Sequence, residues 1–105
     1  MNEFFKVTKP VTITNNKSEM KIIHVNVNGI TAKKYKVIQF LDLEKPDILA
    51  ITETHLRDKQ DFVIRGYEWT GTNFEAAIRS SGGVGFLIKK GIKYSIIKHE
   101  QDLME

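Results

Sequence analysis

Residues 21–30 read Lys-Ile-Ile-His-Val-Asn-Val-Asn-Gly-Ile, and the fold is organised around them. Ile22, Ile23, Val25 and Val27 place apolar side chains on both faces of an extended chain, as in the central strand of a sheet. The Asn-Gly pair that follows is the commonest turn dipeptide and breaks the strand. We therefore predict a buried strand over residues 21–27 that ends at a polar edge.

A helix is predicted between this strand and the next. Thr31 is a suitable N-cap for a helix that runs to about Glu44. Pro46 disfavours helical geometry at Lys45, so the helix ends there. One apolar stripe recurs at three-residue spacing and is expected to face the sheet, and its members are Ala32, Tyr35, Ile38 and Leu41.

A second apolar strand is predicted over residues 47–52. The crossover over residues 29–45 contains 17 residues, which is long enough to bring this strand back parallel to the first. Parallel strands end at the same edge of a sheet, about 4.8 Å apart when they are neighbours. Asn26, Asn28 and Glu53 are therefore expected to emerge side by side, where open α/β sheets bind ligands.

The remaining segments are shorter. A bent strand region is predicted around residues 62–64 and 67–69, followed by a polar loop over 76–81. A strand over residues 83–89 is expected to form a hairpin with a last strand over 94–97. Residues 1–20 are treated as a peripheral leader in which 11–14 form a short edge strand.

Composition excludes several classes of protein. The chain has 105 residues and 41% hydrophobic residues, so one globular domain is expected rather than a disordered segment. It contains no cysteine, which excludes disulfides, zinc–thiolate sites and cysteine nucleophiles. The net charge of +3 is compatible with a polyanionic partner without requiring one. No apolar run approaches a membrane span, and we expect an intracellular protein of the nucleus or cytoplasm.

Glu53 is the strongest candidate for chemistry. A carboxylate that follows four apolar strand residues is costly to bury unless a cation meets it. Mg²⁺ is one such cation, since it takes one or two carboxylates and completes its shell with water and phosphate. The alternative is a strand-end glutamate bonded to lysine, arginine or backbone amides.

Other polar and aromatic residues have two interpretations each. The amides of Asn26 and Asn28 can donate to phosphate, although Asn28 is also explained by the turn alone. Arg79 either meets phosphate or lies in solvent. Trp69 and Tyr67 either stack on bases or, as we favour, pack in the core. The Gly-Gly-Val-Gly run at residues 82–85 indicates close packing at a strand start rather than a phosphate loop.

These motifs, in this order, resemble the endonuclease/exonuclease/phosphatase superfamily, which includes deoxyribonuclease I. The resemblance covers residues 21–99 and is closest to the apurinic-type endonuclease domain of LINE-like non-LTR retrotransposons. It implies an α/β fold, a four-layer sandwich of which this chain is the amino-terminal part. It also implies Mg²⁺-dependent cleavage of DNA phosphodiesters, with Asn26 and Glu53 catalytic, Glu53 as the metal ligand, and Asn28 and Arg79 binding substrate.

The chain departs from the superfamily pattern after Gly91. The family's later site elements, Asp-x-Asn and Asp-His, do not follow, so residues 21–105 resemble a partial domain. We expect it to be inactive alone, with an apolar sheet face left open. A carboxyl-terminal half-domain or a reverse transcriptase region is expected in a full-length protein. Two alternatives stay open: a non-catalytic nucleic-acid-binding or remnant module, and a phosphatase acting on a small phosphoester.

Overall fold

A computed structural model describes residues 6–7, 11–14, 19–56, 62–72 and 82–95 of the chain. Within these ranges the chain forms six strands and one α-helix, and none of the described helices is long and apolar enough to cross a membrane. A 3-10 turn, Thr31–Lys33, precedes the helix. The elements are β1 Lys6–Val7, β2 Val11–Thr14, β3 Glu19–Asn26, α1 Lys34–Glu44, β4 Ile48–Thr52, β5 Tyr67–Thr72 and β6 Val84–Lys89.

The strands form one mixed sheet in the order β1-β3-β4-β6-β5, and β2 also pairs with β3. β3 and β4 are parallel, with Asn26 opposite Thr52, whereas the other pairs are antiparallel. The predicted α/β class and the βαβ unit are therefore confirmed. Strand β2, predicted as a short edge strand, pairs with β3 from Val11 opposite Ile22 to Thr14 opposite Glu19. The domain boundary at residue 20 stays a prediction.

The core lies between α1 and one face of the sheet. Side chains at alternate positions of β3, β4 and β6 are fully buried on this face, because successive strand residues point to opposite faces. Helix α1 packs Val37, Phe40 and Leu41 against the same core. The strand residues buried there are Ile23, Val25, Leu49, Ile51 and Leu87.

The opposite face of the sheet is more open to solvent. The strand register places Ala50 opposite Phe86 and Thr52 opposite Val84 on this face. Val84 is 43% exposed and Phe86 is 40% exposed, although Ile88 on the same face is buried. Val84 and Phe86 therefore share the exposed face of the sheet.

Two predictions about α1 are wrong. Thr31 is not an N-cap: it lies inside the 3-10 turn, and Ile30, which precedes the turn, makes no side-chain capping bond. Tyr35 does not face the core, because it is 82% exposed. The rest of the stripe within α1 is confirmed, because Leu41 is buried and Ile38 packs against the core. Tyr35 departs from it because steps of three residues each fall about 60° short of a full helical turn. The end of the helix is confirmed, with Lys45 in the left-handed conformation before Pro46.

Trp69 packs on the covered face of the sheet, as the sequence predicts. Its indole lies against two glycines that sit directly opposite each other, Gly71 on β5 and Gly85 on β6. Phe62 meets the indole edge to face, with ring centroids 5.7 Å apart. The close-packing role predicted for the glycine run is therefore confirmed at Gly85.

The segment after β6 differs from the predicted hairpin. The chain turns at Lys90 and Gly91, but residues 92–95 form no strand, and β6 pairs instead with β4 and β5. The rest of the predicted last strand, at residues 96–97, lies outside the described residues. So does the polar loop predicted over 76–81, which contains Arg79.

Candidate functional site

The carboxyl ends of β3 and β4 stay joined beyond the strands themselves. The backbone N–H of Gly29 donates to the carbonyl of Glu53 at 2.8 Å. The N–H of Ile30 donates to the carbonyl of Thr54 at 2.9 Å. These bonds hold the turn after β3 against the segment after β4, as expected for two neighbouring parallel strands.

The same segment is also paired on its other side. The N–H of His55 donates to the carbonyl of Gly82 at 2.7 Å, and that of Thr54 donates to Gly83 at 3.3 Å. Residues 53–55 are therefore held between two neighbouring segments, and a loop bonded on both sides is a rigid support for a site.

This edge contains an unusual concentration of left-handed backbone. Three non-glycine residues have positive φ there, at 50° for Asn28, 57° for Glu53 and 60° for His55. Asparagine tolerates this region, but glutamate does so rarely, at a cost of roughly 1–2 kcal/mol per residue. Such strain persists where the surrounding structure enforces it, and it clusters at functional sites.

The predicted site residues reach the same end of the sheet. Asn26 is the last residue of β3 and is half-buried. It lies opposite Thr52, the last residue of β4, and Glu53 is the next residue after Thr52. Asn28 and Glu53 are both exposed. Convergence of the Asn26 and Glu53 side chains on one pocket stays a prediction. Arg79 lies outside the described residues.

Among the residues that the structure describes, Glu53 has none of the partners that the alternative interpretation requires. Among the described parts of the chain, no basic side chain lies within 4.0 Å of its carboxylate, and no hydrogen bond engages that carboxylate. The exposed carboxylate is thus available to a cation from solvent.

Comparison with known proteins gives this edge a context. Residues 23–104, most of the chain, match the Endonuclease/Exonuclease/phosphatase family. The chain belongs to the endonuclease/exonuclease/phosphatase family. Among solved structures it is similar to the AP endonuclease LMAP from Leishmania major, with a TM-score of 0.56 and 28% sequence identity. That match covers 67% of this chain and 24% of the endonuclease, so the chain spans about a quarter of that protein's length.

The family membership predicted from the motifs is therefore confirmed, and it is a family of nuclease and hydrolase type. Its enzymes generally use divalent metal ions. Within the described ranges, no group of three or more His, Asp or Glu side chains is placed to hold a metal. A single carboxylate with amide neighbours fits Mg²⁺ better than zinc, because Mg²⁺ keeps most of its water ligands.

Two further side chains contribute to this edge of the sheet. His24 Nε2 lies 3.1 Å from Thr52 Oγ1, which ties β3 to β4 one position before the site. The Lys33 ammonium donates to the carbonyl of Val27. This bond places a positive charge beside the end of β3, where a phosphate would be attracted. No local sequence pattern predicts the contact between Lys33 and Val27, because it depends on how the chain folds at the 3-10 turn.

Replacing Gly29 with alanine tests whether the turn after β3 requires a positive φ at this residue. Gly29 has φ of 98°, and a Cβ there would lie 3.5 Å from His55 Nδ1. The contact is ordinary, so the cost comes mainly from backbone strain, and we expect a loss of about 1–2 kcal/mol in the free energy of unfolding. Urea unfolding followed by circular dichroism measures this loss. A Gly29→Ala variant as stable as wild type would show that the turn relaxes freely.

Proposed function

We propose that this chain supplies the Asn26 and Glu53 part of the active site of a Mg²⁺-dependent endonuclease that hydrolyses DNA phosphodiester bonds. The observation that carries the proposal is Glu53 itself. It is an exposed carboxylate without a described partner, in a backbone conformation that glutamate rarely adopts. A structural role alone would be met more cheaply by glycine or asparagine at this position.

Each residue has a distinct role in this proposal. Glu53 would hold Mg²⁺ through its carboxylate, and the ion would polarise a non-bridging P–O bond of the phosphodiester, making its phosphorus more open to attack. The Asn26 amide donates to a non-bridging phosphate oxygen and so orients the phosphodiester. Asn28 and Arg79 bind the substrate backbone. Lys33, which already donates to the carbonyl of Val27, adds positive charge where the phosphate arrives.

The motif Glu-Thr-His-Leu at residues 53–56 supports membership in the branch of the family that occurs in LINE-like non-LTR retrotransposons. The proposed substrate is therefore DNA rather than a small phosphoester. A protein of this branch acts on DNA in the nucleus or in the cytoplasm. Because the chain spans 24% of the endonuclease it matches, the proposal concerns the activity of a longer polypeptide. The chain alone is expected to be inactive, since it lacks Asp-x-Asn and Asp-His after Gly91.

The test is nicking of supercoiled plasmid by the chain together with the sequence that follows Glu105 in its reading frame. We expect nicking that requires Mg²⁺ and is abolished by chelation. Glu53→Gln should lower the rate about a hundredfold, since it removes the charged ligand and keeps the side-chain volume. The matched control is Glu19→Gln, an exposed glutamate at the opposite end of β3, which should nick like wild type.

Equal rates for wild type and Glu53→Gln would refute the assignment. If the extended protein never nicks but the chain binds duplex DNA with steep salt dependence, the nucleic-acid-binding alternative takes its place. Release of phosphate from a small phosphomonoester, without nicking, would instead favour the phosphatase alternative.

A further inference from the structure

A second concave site lies at the opposite end of the sheet from Glu53. A cavity of about 270 Å³ opens between the last turn of α1 and the adjoining ends of β5 and β6. Its floor is apolar and includes Leu41 and Ile64, which are 5% and 6% exposed. Tyr67 forms one wall.

The wall of this cavity is well fixed. The Tyr67 hydroxyl donates to the carbonyl of Pro46 at 2.9 Å. Burial, and then the nearby carboxylates of Asp47 and Asp42, raise the pKa of Tyr67 above its ordinary value. The phenol therefore stays neutral and keeps donating at every physiological pH, and the wall does not depend on a ligand for its shape.

The rim of the cavity is mainly cationic. Lys45, Arg65 and Lys89 line it, against one carboxylate, that of Asp42. Lys89 already faces Asp47, with Nζ 3.6 Å from Oδ1. Lys45 and Arg65 are exposed, and among the described residues neither has a carboxylate within 4.0 Å. Two positive charges therefore flank an apolar floor, and no ion pair within the described ranges neutralises them.

We propose that this cavity docks a short peptide segment in which an acidic side chain neighbours apolar ones. The apolar floor accepts the aliphatic side chain, and Lys45 and Arg65 bind the carboxylate, which is the complementary arrangement of charge. The volume is below the roughly 300–1,000 Å³ of sites for whole small molecules, so it suits one or two side chains.

A nucleic-acid strand fits this cavity less well than a peptide. A phosphate backbone is polar along its whole length, so it would leave the buried floor of Leu41 and Ile64 without an apolar partner. Duplex and single-stranded DNA are therefore competitors in the test, not the expected ligand.

The experiment uses the whole chain and a short fluorescein-labelled peptide of alternating glutamate and leucine, followed by fluorescence anisotropy. A peptide of alternating lysine and leucine should not bind. Arg65→Glu should weaken binding of the acidic peptide about tenfold, because it reverses the charge facing the carboxylate. Lys36→Glu makes the same change of charge on an exposed position of α1 outside the cavity, and it should bind within about twofold of wild type.

Equal loss of affinity in Arg65→Glu and Lys36→Glu would overturn the proposal, because attraction would then follow net charge alone. Unchanged affinity in Arg65→Glu, with circular dichroism showing the native fold, would also overturn it. Displacement of the peptide by single-stranded DNA, with direct DNA binding that depends on Arg65, would reassign the cavity to nucleic acid. None of these readouts involves nicking, so the outcome is independent of the role proposed for Glu53.

Discussion

Replacement of Gly85 by alanine is expected to destabilise the fold by about 3 kcal/mol, the upper end of the usual cost of overpacking a core. A Cβ built on Gly85 would lie 2.0 Å from Trp69 Cη2 and 2.4 Å from Cζ2. The indole cannot simply turn away, because Gly71 and Phe62 also contact it. The midpoint of urea unfolding should fall at an unchanged slope.

Two comparisons isolate the cause of that loss. Gly66→Ala introduces a Cβ with nothing within 4 Å, so its cost reports only the strain of φ at 90°. In a Trp69→Leu background the clash at residue 85 disappears, and Gly85→Ala should then cost less than about 1 kcal/mol. A loss at Gly85 that persists without the tryptophan would show that the backbone of β6, not the indole contact, requires glycine.

The parts of the fold that follow from the sequence are those fixed by local chemistry. The apolar run before Asn28-Gly29 predicts β3, and Pro46 predicts the end of α1 at Lys45. The crossover length then predicts a parallel β4, since only a connection of that size reaches back across a sheet. These three inferences are sufficient to bring Asn26 and Glu53 to one edge.

The helix phase was not predictable in the same way. Spacings of three residues predict Tyr35, Ile38 and Leu41 on one face, but each such step falls about 60° short of a full turn of a 3.6-residue helix. Leu41 and Ile38 reach the core, whereas Tyr35, about 120° around the helix from Leu41, is exposed. Val37 and Phe40 complete the buried face, and tertiary packing decides which side of the helix meets the sheet.

The site shows the same division between local and tertiary information. The carboxylate of Glu53 and the amide of Asn26 are identified by residue type at a strand end. The sequence does not predict that the backbone around these residues is held rigidly, because the hydrogen bonds donated by Gly29 and His55 join segments that are far apart in the chain. The left-handed backbone at Glu53 is likewise invisible in the sequence, since glutamate does not favour it. It is also the observation on which the proposed function most depends.

Leu49→Ala is expected to cost about 3–5 kcal/mol, because Leu49 is fully buried at the centre of the sheet and its removal leaves a cavity that β-strands cannot close. A small domain has only about 5–15 kcal/mol of total stability, so this variant should be partly unfolded near body temperature. Leu43→Ala removes the same atoms from a position of α1 that is 71% exposed, and it should lower stability by less than about 0.5 kcal/mol. Thermal and urea unfolding of the pair measure the difference. Similar losses in both variants would mean that the covered face of the sheet is not the core of the domain.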